Sequence, residues 1–204
     1  TNRIDGDFVL GTLDGKLTAR LSEVAEVLGA VAKTQVTTNI WGAKWTKLIF
    51  NCMRATTRAA LNVKRREMVE NPRILELTVK MGKEAATVAM AKGVKLEPIP
   101  GFAADAFRDG MTDDLFRKIM AIVIGGTGGR STSMVQQDIA KERLTEIDYL
   151  NGLIVRKGRE GGVQTPANSA MTEVVRQIQE GALQPALANL ELIEEYMSDA
   201  KATV

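Results

Sequence analysis

From Asn39 onward the apolar residues of this chain recur three and four apart, and they do so to the end, which commits most of it to helices packed on helices. Ile40, Trp41, Ala43, Lys44, Lys47, Leu48 and Asn51 fall in a helix expected to reach Leu61. Asn71-Pro72 supplies a cap and a proline at the first helical position. Ile74, Leu77, Val79, Met81, Ala85 and Val88 then carry a second helix to about Ala91, where Gly93 stops it. Residues 94–101 hold two prolines and form a loop, followed by helices predicted around 102–109 and 112–124. A long helix is predicted from about Met134 to Gly158, and a last one after Thr165-Pro166, broken near Gly181 to Pro185.

Ahead of this helical region lies a different pattern. Residues 7–10 and 34–38 read as two short strands, and Thr18 caps a helix between them that runs to about Val31. A β-α-β piece of this size cannot hold a core alone and reads as the tail of a larger α/β domain. The expected architecture is mainly α and multi-helical over 39–204, with 1–38 as a β-α-β remnant. Gly125-Gly-Thr-Gly-Gly129 lacks the G-x-G-x-x-G and G-K-[ST] spacings of phosphate loops and reads as a hinge.

Composition narrows the chemistry. The chain has no histidine, which removes Ser-His-Asp and Cys-His catalysis and imidazole metal sites. No metal site is expected. Lys+Arg 27 against Asp+Glu 25 gives no bulk attraction for nucleic acid or an anionic membrane, and no apolar run reaches the roughly 18 residues of a membrane span. The single cysteine, Cys52, cannot form an internal disulfide, fits a cytoplasmic location, and reads as a buried small hydrophobe.

A few polar groups stand out against this background. Lys47 and Asn51 lie one turn apart on one helix face. An ammonium there can polarise a ketone and donate a proton as the alkoxide forms, and an amide can both donate to and accept from a hydroxyl. Ser131 and Ser133 precede a helix, and Ser133-x-x-Gln136 fits a capping box. Such a helix start, with free N–H groups and a hydroxyl, suits a carboxylate. Glu146, expected further along the same helix, can accept a hydrogen bond from substrate or fix the lysine. Taken one at a time, these residues read as solvated surface groups, a charged face and a cap, as such residues usually are.

Four segments in order change that balance: Lys47-Leu-Ile-Phe-Asn51, Ser133-Met-Val-Gln-Gln-Asp138, Thr145-Glu-Ile-Asp-Tyr-Leu-Asn-Gly152 and Gly161-Gly-Val-Gln-Thr-Pro-Ala-Asn168. Together they resemble the C-terminal half of the ketopantoate reductase (2-dehydropantoate 2-reductase) family. The resemblance implies a helical domain of the 6-phosphogluconate dehydrogenase-like type behind the end of a Rossmann domain. It implies Lys47 as general acid, with Asn51, Glu146 and a serine, Ser133 or its rival Ser131, binding a 2-keto acid. The pattern departs at Ala55, where the family often has a second asparagine, and in the extra residue between Ser133 and Asp138.

By the same resemblance the cofactor is NADPH, bound mainly by an N-terminal domain whose glycine fingerprint is missing from these residues, and a homodimer is allowed. The chain also opens within a pattern, as a fragment would, so by itself it is expected to bind NADPH weakly and not to turn over. Reduction of another 2-keto acid, a β-hydroxyacid dehydrogenase-like activity, or a non-catalytic helical dimerisation module are the competing readings.

Overall fold

The structure, a computed structural model, describes residues 7–98, 114, 118 and 132–202, with side chains through 199. Its order is β1 (Phe8–Leu10), α1 (Ala19–Gly29), β2 (Thr34–Val36), α2 (Ile40–Leu61), α3 (Glu67–Glu70), α4 (Pro72–Ala91), α5 (Met134–Ala140), a 3-10 turn (Ile147–Tyr149), α6 (Asn151–Gly161), α7 (Pro166–Gln179) and α8 (Asn189–Ala202). The helices expected around 102–109 and 112–124, the Gly125–Gly129 hinge and Ser131 lie outside the described residues, apart from isolated helical positions at Asp114 and Lys118.

The first three elements form the expected β-α-β unit, with β1 and β2 parallel in the register Phe8↔Thr34, Val9↔Gln35 and Leu10↔Val36. Thr18 caps α1 by accepting from Leu21 N, yet no residue of α1 is buried. The unit therefore stands outside the main core, which begins at Ile49 and draws on α2, α3, α4, α5, the 3-10 turn, α6, α7 and α8.

α2 is the axis of the helical part. Ile49, Cys52, Met53, Thr56, Ala59 and Ala60 face inward and are all but inaccessible. α4 crosses it so closely that a Cβ at Gly82 would meet Met53 Sδ at 2.5 Å. At its far end, Ala60 O accepts from Ala186 N and Asn189 Nδ2, which docks the start of α8. At its near end the 94–97 segment lies across Gly42, with Asn39 Nδ2 donating to Lys95 O at 2.8 Å and Thr46 Oγ1 to Glu97 O at 2.8 Å.

The predicted Met134–Gly158 helix is not continuous. α5 stops at Ala140, Glu142 takes a left-handed conformation with φ 52°, and the chain resumes helical structure only through the 3-10 turn. Both Thr145 N and Thr145 Oγ1 donate to Gln179 Oε1, at 2.7 and 3.0 Å, so the segment is pinned to the end of α7. That anchor, with Ile147 fully buried behind it, outcompetes the helical periodicity of the intervening residues. Glu146 consequently does not share a helix with Ser133.

Candidate functional site

Along α2, Lys47, Asn51, Arg54 and Arg58 follow one another at four, three and four residues, which keeps them within one narrow stripe that runs from the exposed Lys47 to the buried Arg58. Lys47 is exposed and Asn51 half-buried. Among the described residues neither side chain makes a hydrogen bond or ion pair. Lys44, by contrast, places its ammonium 5.7 Å from the Trp41 ring centroid. The stripe thus presents an uncommitted cation and an uncommitted amide one turn apart.

Two contacts fix where α5 meets this helix. Ser133 Oγ donates to Ala55 O at 3.2 Å, and Gln136 Nε2 donates to Arg58 O at 3.1 Å. The expected capping box is present: Gln136 N donates to Ser133 Oγ at 3.2 Å and Ser133 N to Gln136 Oε1 at 3.0 Å. Ser133 therefore lies one turn beyond Asn51, buried, with its hydroxyl engaged by α2 and by its own helix. Glu146 is exposed, its carbonyl holds the 3-10 turn through Tyr149 N and Leu150 N, and its carboxylate has no partner among the described residues. Lys47, Asn51 and Ser133 are thus gathered along α2; no hydrogen bond ties Glu146 to them.

Behind the stripe sits a buried polar node absent from the sequence reading. Asn151 Nδ2 donates to Asn168 Oδ1 at 3.0 Å and to Cys52 O at 3.4 Å. Asn168 Nδ2 donates to Glu84 Oε2 at 2.7 Å, and Glu84 also accepts from Ala167 N and Asn168 N at the start of α7. Burial raises the Glu84 carboxyl above its usual range, against the lowering pull of those three donors. The node joins α4, α6 and α7 to the backbone of α2 at the residue after Asn51. Its signal was in the sequence, because Asn151 and Asn168 stand in two of the four segments that carry the resemblance.

Arg54 also escaped the sequence reading. It is half-buried, its Nε is enclosed without a hydrogen-bond partner, and its guanidinium lies 4.9 Å from the Phe50 ring centroid. Burial, with Arg65 and Arg58 close by, pulls it down to about 10. A readable signal existed: between Glu26 and Glu67 the sequence holds eight Lys or Arg and no carboxylate.

A dinucleotide's pyrophosphate needs backbone N–H groups at the C-terminal end of a strand. After β1 the chain instead closes a turn in which Thr12 Oγ1 donates to Lys16 O and Asp14 pairs with Lys16 at 3.0 Å. A carboxylate in that turn and a Thr18 hydroxyl already spent on Leu21 N do not fit a phosphate. Among the described residues no group of three His, Cys, Asp or Glu could hold a metal ion.

Residues 39–179, which include Lys47, Asn51, Arg54, Glu84, Ser133, Glu146, Asn151 and Asn168, match the model of the family described as "Ketopantoate reductase PanE/ApbA C terminal". The chain belongs to the ketopantoate reductase family. Among curated relatives, a 2-dehydropantoate 2-reductase of Archaeoglobus fulgidus is 28% identical over 178 residues, 87% of this chain and 54% of its own length. A crystal structure of a PanE/ApbA family ketopantoate reductase from Ralstonia eutropha JMP134 superposes with a TM-score of 0.66 at 29% identity, covering 88% of this chain and 53% of that one. A D-mandelate dehydrogenase structure with NADH and anilino(oxo)acetate shares the fold, with a TM-score of 0.70 at 24% identity over 86% of this chain and 67% of that one. The mainly helical domain with a small β-α-β remnant is thus the ketopantoate reductase type of fold. The chain spans about half the length of the curated relatives it matches.

Proposed function

We propose that this chain is the substrate-binding half of an NADPH-dependent 2-keto acid reductase, most simply one that reduces 2-dehydropantoate to pantoate for pantothenate and coenzyme A synthesis in the cytoplasm. The observation that carries the reading is the pair Lys47 and Asn51, one turn apart on a buried, internally braced helix, with no competing partner for either side chain among the described residues. Lys47 is the general acid. Its ammonium polarises the ketone of the substrate and gives up a proton to the oxygen as the C–H bond forms at carbon. Asn51 orients a neighbouring hydroxyl or the ketone itself. The start of α5, through Ser131 or Ser133, receives the carboxylate, and Glu146 approaches the substrate from the 3-10 turn.

The hydride is supplied by the nicotinamide cofactor. Since the turn after β1 offers it no phosphate cradle, we assign its binding to a Rossmann domain of which residues 1–38 are the last part, with 39–204 as the catalytic helical domain. The membership in the family, the relatives' names and the fold support this division of labour.

The test is NADPH oxidation with 2-dehydropantoate and a panel of 2-keto acids, using the protein at the length of its relatives. Lys47→Ala should lower kcat by about 100-fold or more while KM moves less. Unchanged kcat in the variant removes Lys47 from the acid role. Absence of turnover with every keto acid, from a folded protein that binds NADPH, removes the substrate class. Ser131→Ala and Ser133→Ala, compared by KM, decide which serine meets the carboxylate.

A further inference from the structure

The residues that flank Glu146 are fastened to the body of the molecule, while Glu146 itself is exposed. Gln179, the last residue of α7, accepts at Oε1 from both Thr145 N and Thr145 Oγ1, at 2.7 and 3.0 Å. The Thr145 hydroxyl in turn accepts from Ile147 N at 3.3 Å, so one glutamine oxygen braces the chain on both sides of Glu146. Ile147 is fully buried beneath the turn. One turn back along α7, Arg176 Nε donates to Asp148 Oδ1 at 3.0 Å, and Arg156 of α6 donates through Nη1 to Asp148 O at 2.8 Å.

These tethers differ in weight. The Arg176–Asp148 pair is about half exposed on both sides, where an ion pair adds little and salt weakens it. The Gln179 anchor is half-buried and satisfies a backbone N–H in a partly covered place. A backbone N–H can only donate, so the group that faces it is the amide oxygen of Gln179 and not its nitrogen. The same anchor breaks the helix in which periodicity alone would place Glu146, so it decides where that carboxylate stands. A side chain held in place before its ligand arrives binds with less ordering cost.

We propose that Gln179 is a positioning residue of the reductase: acting through Thr145, it holds Glu146 where the substrate is bound. The inference rests on the reductase reading for the role of Glu146. It adds to that reading a residue outside the four segments that carry the resemblance. Glu146 accepts a hydrogen bond from bound substrate, whereas Lys47 supplies the proton. Displacing Glu146 therefore raises KM and leaves kcat nearly as it was.

The experiment is NADPH oxidation with 2-dehydropantoate by the protein at the length of its relatives. The variants are Gln179→Met, Gln179→Glu, Glu146→Ala, and Glu146→Ala combined with Gln179→Met. Methionine keeps the length of the side chain and removes the acceptor; glutamate keeps the acceptor. Gln179→Met should raise KM about 5-fold with kcat within about 2-fold, and Gln179→Glu should recover most of that loss. In the Glu146→Ala background the same change should move KM by less than about 2-fold, since no carboxylate is left to misplace. A brace that served the fold alone would cost as much in both backgrounds, and that equal cost overturns the proposal. Wild-type KM in Gln179→Met also overturns it. Amide hydrogen exchange on the same proteins separates this outcome from the reductase reading, because Gln179 holds Thr145 N and Glu146 O holds Tyr149 N and Leu150 N. Faster exchange at these amides in Gln179→Met, with no turnover of any keto acid or with a KM indifferent to Glu146→Ala, keeps the brace and rejects Glu146 as a substrate ligand. Unchanged exchange beside Glu146-dependent turnover keeps the reductase reading and rejects Gln179.

Discussion

Glu84 shows what single side chains contribute beneath the site. It accepts from two backbone N–H groups at the start of α7 and from the Asn168 amide, so Glu84→Ala should leave three buried donors unmet and cost about 1–3 kcal/mol in denaturant unfolding. Its carboxyl is raised in the folded state, chiefly by burial. The native state therefore holds that proton more tightly than the unfolded chain does. Glu84's contribution to stability is complete below the unfolded carboxyl pKa and is lost as pH rises through the folded value. Comparing the wild type with Glu84→Gln at successive pH values above 4.5, the ordinary value for a glutamate, should show the wild type losing ground; a parallel pair of curves would contradict this. At this scale the sequence was only partly readable. Lys47 and Asn51 stood out through the segment they share with the family, since their spacing alone reads as a solvated helix face. Asn151 and Asn168 were visible as letters, but that they bond to each other at 3.0 Å depends on where α6 and α7 cross. Arg54 was hidden because an arginine in a helix is ordinarily paired or solvated, and only the structure shows it half-buried with no carboxylate beside it among the described residues.

Between elements, the closest approaches set the fold's tolerances. A Cβ at Gly42 would stand 2.2 Å from Lys95 O and 2.5 Å from Asn39 Nδ2. Alanine offers about 1 kcal/mol of better helix propensity there, but the carbonyl cannot retreat without loosening its bond from Asn39. Gly42→Ala should thus lower thermal stability by about 1–3 kcal/mol and expose the 94–97 segment to protease; an unchanged or raised Tm would show that the strap is slack. α2, α4 and the break after α7 are legible in the sequence because caps, prolines and glycines punctuate them: Asn71 accepts from Arg73 N and Ile74 N, and Gly93 and Gly181 take φ of 72° and 79°. The end of α5 is not legible. No proline or glycine marks Ala140, and the signal that stops the helix, Gln179 pulling on Thr145, arrives from 34 residues away.

For the molecule as a whole, the β-α-β unit is the unfinished part. Leu13, Leu17, Val24, Val27, Val31 and Val36 all lie exposed on it, while α1 buries nothing. Surfaces of this kind associate, so the 204-residue chain should bind a hydrophobic dye, and Val24→Glu with Val27→Glu should cut that binding by about half without loss of helicity. Dye binding untouched by the double substitution would place the sticky surface elsewhere. The division into a helical body and a strand-bearing prefix was legible because the apolar period changes at Asn39; how the helices pack was not, since amphipathic faces do not name their partners. One contact bears on how such a molecule changes over generations. α5 is moored to α2 through the main-chain oxygens of Ala55 and Arg58, and a main-chain oxygen is the same whatever residue carries it. Substitution at either position keeps that oxygen, so what limits descendants at buried Ala55 and Arg58 is the bulk the surroundings accept rather than the mooring, and changes of similar size can be tried beside the ketone site by small steps.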